Sequence, residues 1–311
     1  MIALAVLRRL LVALATLAGV AVVVFVLLRV VPGDPVAMMI SPGASAADVA
    51  ALRAHYGLDG SLLSQFLVWL RYALRGDFGQ SIAYRAPVGS VLLERIPPTL
   101  FVILYGLTIT IVLTLALAST AARNRGRWPD HVIRFLCVGA VGVPSYFIGL
   151  MLIMLFSLRL GFFPVSGYGP TVWNNLWHLF LPALTVGLAV TPILTRNLRA
   201  TFIQQMDADY AVAGRSKGLS EHYIFTRHVF WNSLLPTVNL MGVVVSFLIG
   251  GTVVIENVFD VPGLGNLLVR AVLVRDYFVV QAVTLILACG IVITNFIVDV
   301  ITVALDPRVK L

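Results

Sequence analysis

The stretch DYAVAGRSKGLSEHYIFTRHVFWNSLLP, Asp209 to Pro236, decides how the rest of this chain is read. It is polar and cationic, is built of helix-forming residues, and lies between two long apolar runs. Helix–helix connections in compact bundles are mostly short. This one keeps a helical composition, breaks once at Gly218 and re-enters an apolar run at Pro236. Such a segment is shaped to be held from outside the membrane.

Working outward, 59% of the 311 residues are hydrophobic, 12% are charged and the mean hydropathy is +0.97. Soluble domains carry about 25% charged residues, so this is an all-α polytopic membrane protein. A span needs about 20 apolar residues, which predicts six helices, at 9–30, 96–122, 135–158, 179–195, 237–256 and 277–299. Pro97 and Pro98 fall at the start of the second, where missing backbone donors cost least. Pro144 follows Gly142 inside the third, and Pro182, Gly187 and Pro192 interrupt the fourth. Neighbouring helices can cover the carbonyls such breakers free. The first run exceeds the roughly 7–15-residue core of a secretory signal. It leads into RVVPGDP (Arg29 to Pro35) without a cleavage motif, so an uncleaved helix is expected.

Residues 32–95 form a small extracytoplasmic segment, predicted helical over Asp48–His55 and Leu62–Leu74. A turn at Gly57–Gly60 and another at GDFGQS (Gly76–Ser81) punctuate it. It is too short for an independent core.

The 22 Lys+Arg exceed the 14 Asp+Glu by eight. The surplus sits in short clusters beside apolar runs, including Arg8, Arg9, Arg123, Arg125, Arg127, Arg134, Arg196 and Arg199. The positive-inside rule accounts for that placement better than nucleic acid does, and it puts both termini in the cytoplasm. Cys137 and Cys289 lie in apolar runs without ligand spacing. No P-loop, HExxH or GxSxG motif is present. Neither His222 with His228 nor His178 suggests a metal site. Glu256 and Asp299, at the ends of the fifth and sixth runs, are expected to be interfacial rather than proton relays. With no ion site inside the spans, transport needs an external source of energy.

Within the opening stretch, Tyr210–Lys217 is predicted to form a short helix. Asp207 and Asp209 suit its positive N-terminus and Lys217 its negative end, while Gly218 can take the left-handed capping conformation. Ser220 is a cap for a following helix with Glu221 in its first turn. Ala211, Ala213 and Gly214 offer a thin surface for close packing by another protein.

These residues resemble the cytoplasmic loop of ABC importer permeases, named for a Glu-Ala-Ala-three residues-Gly pattern and closed by Leu-Pro. Here the pattern reads Val212, Ala213, Gly214, then Gly218 and Leu235-Pro236. The replaced Glu and second Ala, and the longer Gly-to-Pro spacing, are similar to the peptide/nickel branch, which typically reads DY…A…KGL. RVVPGDP, YGLD (Tyr56 to Asp59), GDFGQS, ERIPPTL, ENVFDVPGLGNLL (Glu256 to Leu268), RDY (Arg275 to Tyr277) and the terminal LDPRVKL also resemble its first permease subunit.

The resemblance implies a type I importer permease fold and a non-catalytic subunit in the plasma or inner membrane. It implies a coupling helix in residues 205–236, docked on a cytoplasmic ATPase through Asp209, Tyr210, Ala213, Gly214, Lys217, Gly218, Leu219 and Pro236. Lying on lipid headgroups is the alternative for that helix. Phe259, Pro262, Gly263, Gly265, Asp276 and Tyr277 would form an outer gate or meet a binding protein, or simply cap two helices.

The implied partners are a second homologous permease, one or two ATPases that bind ATP and Mg, and an extracytoplasmic binding lipoprotein. Dipeptides or short oligopeptides are the expected cargo, with nickel, glutathione and haem as alternatives. Thr108, Thr110, Thr114, Ser145, Tyr146, Ser246, Thr252 and Asn295 are polar residues available to line a path. An ATP-independent transporter or channel is the rival from another class.

Overall fold

The computed structural model describes residues 2–30 and 60–305. The expected helix at Asp48–His55, the turn at Gly57–Gly60, and the RVVPGDP, YGLD and LDPRVKL motifs lie wholly or largely outside those residues. Among the described residues twelve α-helices follow in order. They are α1 (Ile2–Val30), α2 (Leu62–Ala73), α3 (Val88–Arg123), α4 (Trp128–Val141), α5 (Ser145–Leu152) and α6 (Val172–His178). Then come α7 (Phe180–Met206), α8 (Asp209–Ser216), α9 (Glu221–Ile224), α10 (Phe230–Val258), α11 (Leu264–Leu273) and α12 (Tyr277–Leu305). Wider π-helical turns at Ile153–Arg159 and Phe225–Val229 extend α5 and join α9 to α10.

Five helices, α1, α3, α7, α10 and α12, hold stretches long and apolar enough to cross a membrane. α4 and the helix Ser145–Arg159 meet at an angle of 108° and make a sixth span where the bent pair is counted as one. The single run expected at 135–158, with its breaker at Pro144, is therefore corrected to two helices that begin at Trp128 and end at Arg159. The cause is local. Pro144 lacks an amide hydrogen and sits extended at φ −60° and ψ 138°, and its ring disfavours helical geometry at Val143.

The second helix also differs from expectation. It starts at Val88, so Pro97 and Pro98 lie within it rather than at its start. Tertiary packing supplies the extra turns: Val88, Val91 and Leu92 bury against Leu264, Leu267, Ala271, Val279 and Val283 of α11 and α12. In the same way α7 runs on to Met206, α10 spans Phe230–Val258 and α12 continues to Leu305, each beyond its apolar run.

At the centre stands α7, the most buried of the crossing helices. It lies along α3 and also meets α4, α5 and α10. Gly106 and Gly187 bring α3 and α7 together, since a Cβ on either would fall within 2.9 Å of Val186 or Ile109 on the other helix. Small residues permit such approach where lipid supplies no hydrophobic drive. The main core joins α3, α7 and α10 through Val102, Val186, Leu194, Leu248, Ile255 and Phe259.

Before α3, the loop takes positive φ at Gly76 and Gly79, and Gln80 bridges Pro87. Ser61 caps α2 by accepting from the Ser64 amide. Aromatic packing of Phe25 on Phe66 and Trp69 ties α2 to α1.

Candidate functional site

Two sites are built at opposite ends of the bundle. The first is α8 with its flanks. Ala208 is extended and Asp209 occupies the first turn, where an anion faces the positive helix end. Gly218 stops the helix at φ +78°, a conformation that costs a residue with a Cβ about 1–2 kcal/mol. Ser220 accepts from the Tyr223 amide and starts α9. Arg215 binds Glu221 at 2.6 Å and donates to the Met206 carbonyl at 3.0 Å. Hydrogen bonding and charge from Arg215 hold the Glu221 carboxyl below the usual carboxylate range, and Glu221 raises Arg215 in return. Tyr210 donates to Gln205 at 2.8 Å, and Arg125 pairs with Asp207. His228 lies beside the rings of Tyr210 and Tyr223.

Beneath α8 lies a compact apolar cluster of Ala118 and Ala122 from α3, Leu198 and Phe202 from α7, Ala211, Ile224, Phe225 and Val229. Phe202 packs on Phe225 at 5.0 Å, and the Arg123 guanidinium covers the Phe225 ring at 4.3 Å. The thin surface expected from Ala211, Ala213 and Gly214 is corrected here. Ala211 is fully buried and Gly214 faces Ile224 at close range, so both bind α8 to its own chain. Ala213 remains outside with Asp209, Tyr210, Val212, Lys217, Gly218 and Leu219. Pro236 is also exposed, but it lies inside α10 rather than at the membrane return. The exposed face mixes apolar Val212 and Leu219 with Lys217.

The second site closes the other end of α10. Glu256 is fully buried, which corrects the expected interfacial placement. Its carboxylate accepts from Thr99 Oγ1 at 2.6 Å and from the amides of Gly265 at 2.7 Å and Asn266 at 3.1 Å. Thr99 in turn accepts from the Leu264 amide at 2.7 Å. Three orphan donors at the start of α11 are thereby satisfied by α3 and α10. The glycines of PGLG follow from this packing: a Cβ on Gly263 would fall 2.4 Å from the Glu256 carboxyl carbon, and one on Gly265 2.4 Å from Val253 Cα.

Asp276 performs the same task for α12. It is buried and accepts from Ser81 Oγ at 2.6 Å, from the Ala83 amide at 3.0 Å and, more loosely, from the Val279 amide. Phe259, Gly263, Gly265, Asp276 and Tyr277 are all buried and Pro262 is half-buried, so they fold this segment instead of presenting a surface. The exposed residues beside them include Asp260, Arg270, Val272, Leu273, Val274 and Arg275. Sequence reasoning missed Thr99 and Ser81, whose partners are 157 and 195 residues away.

Between the sites, beside the broken span, a cavity of about 240 Å³ is lined by Ser145, Ala189, Ile193, Val244, Phe247 and Gly251, among others. Of the eight expected path residues only Ser145 lines it. Thr108, Thr110 and Thr252 bond the carbonyls of their own helices. Ser246 contacts Asn295, which lines a different cavity. Asp299 pairs with Arg9 at 3.0 Å, which suits a helix-to-helix tie.

A bundle of long apolar helices with a short surface helix between two of them and one sharply bent helix pair defines the class, and comparison with known proteins gives the family. Residues 114–311 match the family described as binding-protein-dependent transport system inner membrane component, and residues 1–103 match the N-terminal family of such membrane components. The chain belongs to this family, the permease subunits of ABC importers of the peptide/nickel group. It is similar to the glutathione transport system permease protein GsiC of Salmonella choleraesuis (strain SC-B67), at 38% identity over 306 residues covering 98% of each chain. GsiC of Escherichia coli (strain K12) is 37% identical over the same length and coverage. The protein is therefore a multi-pass inner-membrane permease that works with an ATPase and a binding protein.

Proposed function

We propose that this chain is one half of the translocation path of an importer for short peptides of glutathione size, and that α8 is its lever. The observation that carries the reading is the seating of α8. Its inner face is fixed by Ala211 and Gly214 on a cluster shared with α3 and α7, while its outer face is free. A push on that outer face reaches two crossing helices without passing through a flexible joint.

In this reading α8 and both termini face the cytoplasm and the ATPase groove receives Tyr210, Val212, Ala213 and Lys217. ATP and Mg are bound by the ATPase, and the permease itself is not catalytic. A second homologous permease completes the cavity beside Ser145. An extracytoplasmic binding lipoprotein delivers cargo at the end where α11 lies. ATP shifts the two access states only through its different affinity for them. The relatives named for glutathione transport support a peptide-sized cargo over nickel or haem, and dipeptides remain within the same class.

The test uses the complete importer in vesicles with labelled glutathione and a labelled dipeptide. ATP-dependent uptake of either, together with disulfide or crosslinker capture of the ATPase from Ala213→Cys, is the expected result. Uptake by this chain without ATPase subunits would refute the lever reading.

A further inference from the structure

Between α4 and α7, on the membrane face that carries α8, lies a second cavity, of about 260 Å³. Its apolar wall is Ile133, Cys137 and Val138, and its polar rim includes Arg134, Thr195 and Arg196. At 1.5 Å per residue, Thr195 to Arg199 stand about 22–29 Å along α7 from Phe180. Counted from a boundary at Phe180, a hydrocarbon layer about 30 Å thick ends at Arg199, and an arginine one turn inside it reaches the headgroups through its long side chain.

The charges here are unevenly spent. Arg199, which also lines the cavity, is held by Asp130 through bonds of 2.6 and 2.7 Å, and Asp130 also accepts from the Gly126 amide. Asp130 is 1% exposed. Arg134 and Arg196 make no ion pair among the described residues and are exposed. Three arginines against one aspartate leave two positive charges at the mouth. Thr195 supplies an independent observation: it is 1% exposed, lines the cavity, and its hydroxyl has no hydrogen-bond partner. A mid-helix threonine can bond a carbonyl one turn back, as Thr185 and Thr201 do on this same helix; Thr191 is unpartnered like Thr195, but of the two only Thr195 lines the cavity.

An occupant must be anionic at one end, accept a hydrogen bond, and be apolar where it enters the wall. We infer that this cavity binds an anionic phospholipid, its phosphate between Arg134 and Arg196, a headgroup oxygen accepting from Thr195, and an acyl chain along Ile133, Cys137 and Val138. Basic pockets between membrane helices select acidic headgroups on the same physical grounds. The site does not depend on which compartment that face meets, since headgroups line both. A lipid seated there braces α4 against α7 next to the 108° break.

The test is native mass spectrometry of the purified complete importer, with phosphatidylglycerol or phosphatidylcholine added to the detergent. Wild type is expected to retain phosphatidylglycerol over phosphatidylcholine. Arg134→Gln with Arg196→Gln should weaken that retention roughly tenfold or more, as loss of charged hydrogen bonds requires. Thr195→Val, which keeps the shape, should weaken it several-fold, and Val138→Trp, which fills the cavity without changing charge, should abolish it. If the double variant does not assemble, the two charge-neutral variants decide. Equal retention of the two lipids, or wild-type retention in Val138→Trp, overturns the proposal. Inorganic phosphate that displaces phosphatidylglycerol at millimolar concentration overturns it too, and marks a free-anion site instead.

Discussion

Replacing Glu256 separates a cap from a mere filler of space. The fully buried carboxylate satisfies the Gly265 and Asn266 amides and the Thr99 hydroxyl. Glu256→Gln keeps the volume, and its one carbonyl oxygen can still serve the two amides while its NH2 donates to Thr99. At most the negative charge at the α11 N-terminus is lost, worth about 1 kcal/mol. Glu256→Ala instead leaves two buried amides unmet at about 1–3 kcal/mol each and opens a cavity, so a total near 4 kcal/mol is expected. At about 1.4 kcal/mol per factor of ten, amide hydrogen exchange over Leu264–Leu273 should accelerate up to about tenfold in Gln and roughly a thousandfold in Ala. Exchange in the α8 region serves as the internal control. Equal protection in the two variants, or wild-type protection in Ala, would refute the capping argument.

Other consequences follow from the same geometry. Gly265→Ala places a methyl against Val253 backbone at 2.4 Å and should cost more than about 1–3 kcal/mol, read as proteolysis between α10 and α11 at lower temperature than wild type. On α8 the two faces should behave oppositely. Ala211→Leu overpacks the cluster and lowers thermal stability, whereas Val212→Asp, on the exposed face, leaves stability unchanged and removes ATP-driven uptake. The Arg215–Glu221 pair has a defined pH signature. Because Glu221 is lowered in the fold, its contribution is complete above the unfolded glutamate value of about 4.3. It fades only as pH falls through the lower folded value, and Arg215, being raised, adds no breakpoint on the alkaline side short of its own titration. Both groups are partly exposed, so the step is below about 1 kcal/mol. Stability of α8 to exchange should be flat from pH 5 to 9, and Glu221→Gln should abolish any acid step.

The sequence by itself determined the membrane class, the helical architecture and the place of the loop helix, because these depend on local quantities. Apolar runs of bilayer length, the Gly218 stop and the Ser220 cap are each written within a few neighbouring residues. Where long-range packing intervened, sequence reasoning stopped short. Pro97 and Pro98 marked a helix start until α11 and α12 buried the turns before them. Gly142 and Pro144 signalled a breaker, yet the angle of 108° belongs to the packed bundle.

The roles of individual side chains were decided by tertiary structure alone. No periodicity tells Ala211 from Ala213; one is buried and the other exposed because α8 rolls onto Leu198, Phe202 and Ile224. Glu256 could not be read as a buried cap, since its threonine partner is 157 residues away and its backbone donors lie on another helix. A local pattern can fix which segments become helices, but a buried charge is tolerable only where distant donors converge, and that convergence exists solely in the folded chain.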